Sequence, residues 1–195
     1  AFAIELAEAT IAITLPLFRT AVAVDNKQTG GFDPVTHADR AAEEVMRAMI
    51  EQRYADHGIV GEEFGVKTGP SDFTWILDPI DGTRSYICGT PTWMTLVGLK
   101  HKGSMVAGAA AQPVTGEIFA GSNQGAHLLQ ANQSRELRCT TETDIARVLA
   151  GTTAPSLYRK HGHLERLMRV ENAVQSLRFD ADSYFHCMTA AGQLG

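Results

Sequence analysis

The sequence predicts a layered α/β fold with mixed sheets, on three observations. Helical periodicity dominates up to Tyr54. Short apolar runs separated by turn residues follow, up to Gln130. Strand-like and helix-like segments then alternate towards Gly195.

The elements follow in order. Ile4, Ala7, Ile11, Leu15 and Phe18 recur at helical spacing, which predicts a helix over 1–24. Pro16 is expected to kink or break it. Gly30, Gly31 and Pro34 set a loop. Thr36 is placed to cap a second helix from 37 to about 54, with Ala41, Val45, Ala48 and Met49 inside. Ile59 and Val60 form a short strand ending at Gly61, 67–72 is a polar loop, and 74–77 is a short buried strand ended by Asp78-Pro79. Strand-like runs at 93–100 and 105–111 flank a turn at His101–Gly103, and 117–120 and 126–130 continue an antiparallel meander. Residues 147–150 read as a strand opening a second lobe, and 162–169 and 183–191 read as helices. The expected division is an N-terminal α+β lobe with a metal site, 1–145, and the start of a C-terminal α/β lobe, 146–195.

Composition bounds the function. With 195 residues, 44% apolar and 20% charged, the chain can bury a real core and has room for two lobes. A net charge of -5 and no Lys/Arg run argue against nucleic acid. An anionic substrate is still admissible, because a bound divalent cation inverts the local field. Cys88, Cys139 and Cys187 have neither zinc-type spacing nor an even count, so a reducing cytoplasm is the expected location and the thiols read as ordinary, with Cys88 and Cys187 buried. The apolar N-terminal stretch carries Glu5, Glu8 and Arg19 and reads as an amphipathic helix, neither a signal peptide nor a membrane span. The chain starts at Ala1 without a Met and stops at Gly195 directly after a helix-like segment, so a fragment of a longer protein is expected.

The chemistry lies in Trp75-Ile76-Leu77-Asp78-Pro79-Ile80-Asp81-Gly82-Thr83. An apolar strand delivers two aspartates three residues apart, in a turn stiffened by Pro79. Two carboxylates so close repel unless a cation lies between them, and hard oxygen ligands suit magnesium or manganese. The Ile80 carbonyl is a further candidate ligand. Gly82 lets backbone approach a ligand, the amides after it can face an anion, and Thr83 adds a hydroxyl. Gly61-Glu62-Glu63-Phe64-Gly65 supplies another pair of acids after a buried strand, and Asp39 stands in Asp33-Pro34-Val35-Thr36-His37-Ala38-Asp39. Taken singly, these acids are equally well read as a surface Asp-Gly turn capped by Asp78, solvated loop acids, and an exposed first-turn acid favoured by the helix dipole.

Together, Pro34-Val35-Thr36-x-Ala38-Asp39, Gly61-Glu62-Glu63 and Trp75 to Thr83, in this order and spacing, resemble the inositol monophosphatase family of lithium-sensitive, magnesium-dependent phosphatases. The resemblance runs from about Lys27 to Gly192. It implies a layered α-β-α-β-α sandwich of the sugar-phosphatase type, with mixed and antiparallel sheets and helix pairs, and a homodimer. It also implies two or three Mg2+ ions, with Mn2+ as a substitute. Glu62, Asp78 and the Ile80 carbonyl would hold the first ion, and Asp78 and Asp81 would contribute to a second. Asp39, through Thr83, would position and deprotonate the attacking water, with Glu62 close by. The Gly82 and Thr83 amides would hold the phosphate, and Lys27 resembles a lysine near the active site of relatives. A further aspartate of the family's second metal site would lie beyond Gly195, so the C-terminal lobe is expected to be incomplete.

The substrate reading comes from the flanks. Arg84-Ser85-Tyr86, followed by Gly89-Thr90-Pro91-Thr92-Trp93, is similar to the histidinol-phosphatase branch. Arg178-Phe179-Asp180-Ala181-Asp182-Ser183-Tyr184 and Ala190-Ala191-Gly192 resemble that branch too, with Asp180 and Ala181 in place of glycines and Ser183 in place of a cysteine. Arg84 and Asp182 become candidate substrate contacts, Asp182 for an ammonium or imidazole, and His186 reads as a packed helix residue. Histidinol phosphate is therefore the expected substrate, and no nucleic-acid or membrane partner is expected. Inositol 1-phosphate or a broad range of sugar phosphates is the alternative. A nucleotide 3'-phosphatase and a catalytically dead metal- or phosphate-binding protein are more distant ones.

Overall fold

The structure is a computed structural model that describes residues 1–20, 24–26 and 34–195. Lys27, Gly30 and Gly31 lie outside these residues. Chain contacts divide the protein into two compact units, Ala1–Glu136 and Leu137–Gly195.

The first unit opens with α1 (Phe2–Leu17), β1 (Val24–Asn26) and β2 (Pro34–Thr36), the last two pairing antiparallel. Pro34, expected in a loop, thus begins a strand. Then come α2 (His37–Arg53), β3 (Gly58–Gly61), β4 (Gly65–Lys67), β5 (Phe73–Asp81) and the short helix α3 (Thr83–Cys88). A meander closes the unit: β6 (Met94–His101), β7 (Ser104–Gln112), β8 (Glu117–Ser122), β9 (Gly125–Gln130) and β10 (Gln133–Glu136). Eight strands form one sheet in the order β10-β9-β8-β7-β6-β5-β3-β4. It is mixed, because β3 and β5 are parallel while every other neighbouring pair is antiparallel.

The helix pair α1/α2 packs on this sheet over a core of Phe2, Leu6, Met46, Ile50, Ile59, Trp75, Leu77, Val97 and Ile118. Burying aliphatic side chains of this size contributes about 1.5–3 kcal/mol each. Helix α1 ends at Leu17, well short of the expected residue 24, directly after Pro16, whose ring removes a backbone donor in the last turn. Its inner face also differs from expectation. Phe2, Ala3, Leu6, Ala7, Thr10 and Thr14 are buried, and Leu15 is exposed. The helix is apolar on most sides, so spacing alone left the face open, and two buried threonines decide it. Helix α2 begins at the expected cap: Asp39 Oδ2 accepts from the Thr36 amide at 2.8 Å, and Thr36 Oγ1 accepts from the Ala38 amide at 3.2 Å. Its inner face is Ala38, Asp39, Ala42, Glu43, Met46 and Ile50, one residue on from the expected stripe, because two acids are buried on it.

In the second unit, a 3-10 turn at Ile145–Arg147 precedes β11 (Leu149–Thr152). Two helices, α4 (Pro155–Lys160) and α5 (Leu164–Ala173), lead to β12 (Ser176–Phe179), which pairs parallel with β11, and α6 (Asp182–Ala190) follows. His186 lies exposed on α6, not packed, because the helix turns Cys187 inward instead. Cys88, at the end of α3, is exposed as well, since α3 docks through Tyr86.

Candidate metal centre

Strand β5 does not stop at Asp78-Pro79 as expected. It continues to Asp81 through a β-bulge: Asp78 pairs with Leu96 and Asp81 with Met94, so three steps on β5 match two on β6. In an unbroken strand, residues three apart face opposite sides. With one residue absorbed by the bulge, Asp78 and Asp81 take register positions on the same side. The bulge is held from both flanks. Thr95 Oγ1 donates to the Pro79 carbonyl at 2.8 Å and lies 3.0 Å from Thr10 Oγ1 of α1. Ile80 is buried among Ala38, Tyr86 and Trp93.

Glu62 reaches the same place by strand pairing. Gly61 is in parallel register with Leu77, and the Glu62 amide donates to the Leu77 carbonyl at 3.1 Å. The residue after β3 therefore stands next to Asp78. The electrostatics record the crowding. Asp78 is pushed from 3.8 up to about 9, first by burial, then by the charges of Glu62 and Asp81, a hydrogen bond to Glu62, and the charge of Asp39. Its Oδ1 is buried and has no hydrogen-bond partner. Three carboxylates thus act on a fourth, which carries the orphaned oxygen. Among the described residues, no three His, Cys, Asp or Glu groups already close into a cage. A hard divalent cation fits this donor set: it would meet the orphaned oxygen and reverse the penalty on the Asp78 charge.

The remaining expected residues take the following places. Asp39 is buried at 1% exposure, so it is no solvated first-turn acid. Its Oδ2 also accepts from Thr36 Oγ1 at 2.5 Å. Gly82 adopts φ 79° and ψ 41° as the cap of α3, a left-handed conformation that an L side chain would strain. Thr83 Oγ1 donates to the Ile80 carbonyl at 3.1 Å, which ties the turn to one of the expected ligands. Arg84 is exposed on the first turn of α3. Tyr86 OH donates to the Thr14 carbonyl at 2.7 Å, docking α3 on α1, and burial and the Asp39 charge raise it to about 12. In the second unit, Asp182 is the half-buried first residue of α6, at φ 43°. Asp180 also has a left-handed φ of 61°, where glycine is unstrained and aspartate is tolerated, which accounts for the glycine in the related motif.

Two residues escaped the sequence reading. Thr95 looks like an ordinary strand residue, and no local pattern marks it as the donor to the bulge. Glu43 looks like a solvated helix acid, yet it is fully buried. Its one local signal is a spacing of four from Asp39, which puts both on the same helix face.

The family model described as "Inositol monophosphatase family" matches residues 1–195. An inositol-1-monophosphatase of Mycobacterium leprae is 35% identical over 173 residues, 83% of this chain and 58% of its own length. A histidinol-phosphatase of Chlorobaculum parvum is 31% identical over 192 residues, 98% of this chain and 72% of its own length. The chain spans about half the length of some of the curated relatives it matches, 53% of one and 45% of another. Among solved structures, an inositol monophosphatase from Zymomonas mobilis superposes with a TM-score of 0.81 at 30% identity, over 98% of this chain and 72% of that one.

Proposed function

As the chain belongs to the inositol monophosphatase family, we propose that it hydrolyses a small phosphate monoester with the help of Mg2+, and that histidinol phosphate is its substrate. The observation that carries the hydrolase reading is the convergence of Glu62, Asp81 and Asp39 on the buried carboxyl of Asp78. Glu62, Asp78, the Ile80 carbonyl and Asp81 would hold magnesium. Magnesium bound there neutralises phosphoryl charge and makes a water more acidic.

The chain's own groups do the rest. The Gly82 and Thr83 amides orient the phosphate, with Arg84 beside them in sequence. Asp39, buried and fixed by Thr36, accepts the proton of the attacking water through the Thr83 hydroxyl, which turns from the Ile80 carbonyl to do so. Glu62 orients that water. Its oxygen bonds to phosphorus, the ester P–O bond breaks, and the departing alkoxide leaves as the alcohol after taking a proton from a solvent water, while Asp39 later returns its proton to solvent. Positioning and charge neutralisation supply most of the catalysis in such a reaction, and no covalent nucleophile is needed.

The Arg84-Ser85-Tyr86 and Arg178 to Tyr184 motifs favour histidinol phosphate, with Asp182 as the group for its cationic end. We further propose a homodimer working in a reducing cytoplasm. Among the described residues, no helix is long and apolar enough to cross a membrane. The second reading, inositol 1-phosphate, is favoured by the name and 35% identity of the Mycobacterium leprae relative. A substrate panel with magnesium, read as released phosphate, tests both. Histidinol phosphate is expected to be cleaved fastest, and the reverse ranking transfers the assignment to inositol 1-phosphate.

A further inference from the structure

Glu43 has no exposed surface, and its carboxylate serves three donors. Oε2 accepts from the Glu63 amide at 2.7 Å, and Oε1 accepts from the Phe64 amide at 3.2 Å and from Arg47 Nε at 2.7 Å. A second guanidinium nitrogen of Arg47 donates to the Gly65 carbonyl, and the same guanidinium lies 5.9 Å from the Phe64 ring. One i,i+4 pair on α2 therefore grips the turn between β3 and β4 at three successive residues. Gly61 leaves room for the grip, because a Cβ there would stand 1.8 Å from Glu43 Oε1.

A buried carboxylate is costly, and an apolar residue of similar volume often serves stability as well or better. What the carboxylate supplies is geometry: two backbone amides of a single turn are fixed to α2 one helical turn after Asp39. The turn in question holds Glu62. We propose that Glu43 is a positioning residue for the metal centre, holding the 61–65 turn so that Glu62 stays beside Asp78 before the cation binds. The inference rests on the reading of Glu62 as a magnesium ligand. Arg47 neutralises Glu43 and extends the hold to Gly65.

The test uses the whole chain with Glu43→Gln, and Arg47→Met as a milder second variant. Glutamine keeps the shape but turns one acceptor oxygen into a donor, which must then oppose either the Glu63 amide or the Phe64 and Arg47 donors. Three quantities are measured: amide exchange by mass spectrometry, Mg2+ affinity by calorimetry, and the magnesium dependence of phosphate release. In Glu43→Gln, exchange should accelerate over 61–66 and not over β7–β9, and magnesium should bind about 10- to 100-fold more weakly. Turnover should largely recover at saturating magnesium, whereas general loss of structure would lower it at every magnesium concentration. Arg47→Met should move the same readouts less. A folded Glu43→Gln protein with wild-type magnesium affinity overturns the inference. If that variant does not fold, wild-type affinity in Arg47→Met does so instead. A wild-type chain that binds no magnesium overturns the metal reading itself, and is told apart because exchange in Glu43→Gln still responds.

Discussion

Asp81→Asn keeps the shape of the side chain and removes one charge from a half-buried strand end. Turnover should fall on the order of 10²- to 10³-fold, with the melting temperature close to wild type. Wild-type turnover in that variant would remove Asp81 from the metal site. Asp78 gives a pH-dependent prediction. Its carboxyl is held protonated in the fold up to about pH 9, while in the unfolded chain it ionises near 3.8. Its contribution to stability is therefore whole below pH 3.8 and is progressively lost as the pH rises towards 9. In chelator-treated protein, Asp78→Asn should melt above wild type by a margin that grows across this window. Saturating magnesium should reverse the order, since a ligand that binds only the folded state at a hundredfold excess over Kd adds about 2.7 kcal/mol. A margin that does not change with pH would mean that the acids around Asp78 are not crowded. The residue types and spacing of Glu62, Asp78 and Asp81 were legible in the sequence, because each sits in a short contiguous motif. The burial of Asp39 and Glu43 was not, because a polar residue on a helix reads as solvated unless its partners elsewhere in the chain are known.

The bulge in β5 is the element that turns two aspartates into neighbours. Thr95→Val is nearly isosteric and removes the hydroxyl that donates to the Pro79 carbonyl. Leaving that buried carbonyl unpaired should cost about 1–3 kcal/mol in chemical denaturation. Magnesium dependence should shift as well, because Asp81 follows the bulge; a stability loss with no such shift would make Thr95 a packing residue only. The sequence placed β3 and β5–β9 to within a few residues, since alternating apolar runs with turn residues between them are local signals. It missed β4, β10, β12 and α4, and also β1, β2 and α3. The described faces of the first two of these are largely exposed, so no apolar alternation marks them. The expected inner faces of α1 and α2 were rotated for a related reason. Periodicity counts apolar residues, whereas these helices bury Thr10, Thr14, Asp39 and Glu43, each hydrogen-bonded in the interior.

At the scale of the molecule, the first unit carries all the proposed metal ligands, and the second carries Asp182. The contact proposed for the substrate's cationic end is then a prediction about the second unit. Asp182→Asn should lower kcat/KM for histidinol phosphate by about tenfold or more while leaving an uncharged alcohol's phosphate ester unaffected, as expected when a charge-assisted contact to the substrate is lost. Equal loss on both substrates would assign Asp182 to structure. The sequence by itself determined the family, the fold class and the acids at the end of β5, because those signals lie in contiguous stretches where chain order and chemistry coincide. Only the tertiary structure decided that Asp78 and Asp81 share a side, that Glu62 stands beside them, and that Glu43 grips the turn bearing Glu62. Those facts depend on a bulge, a parallel strand pair and a helix face, and each is set by contacts between segments far apart in the chain.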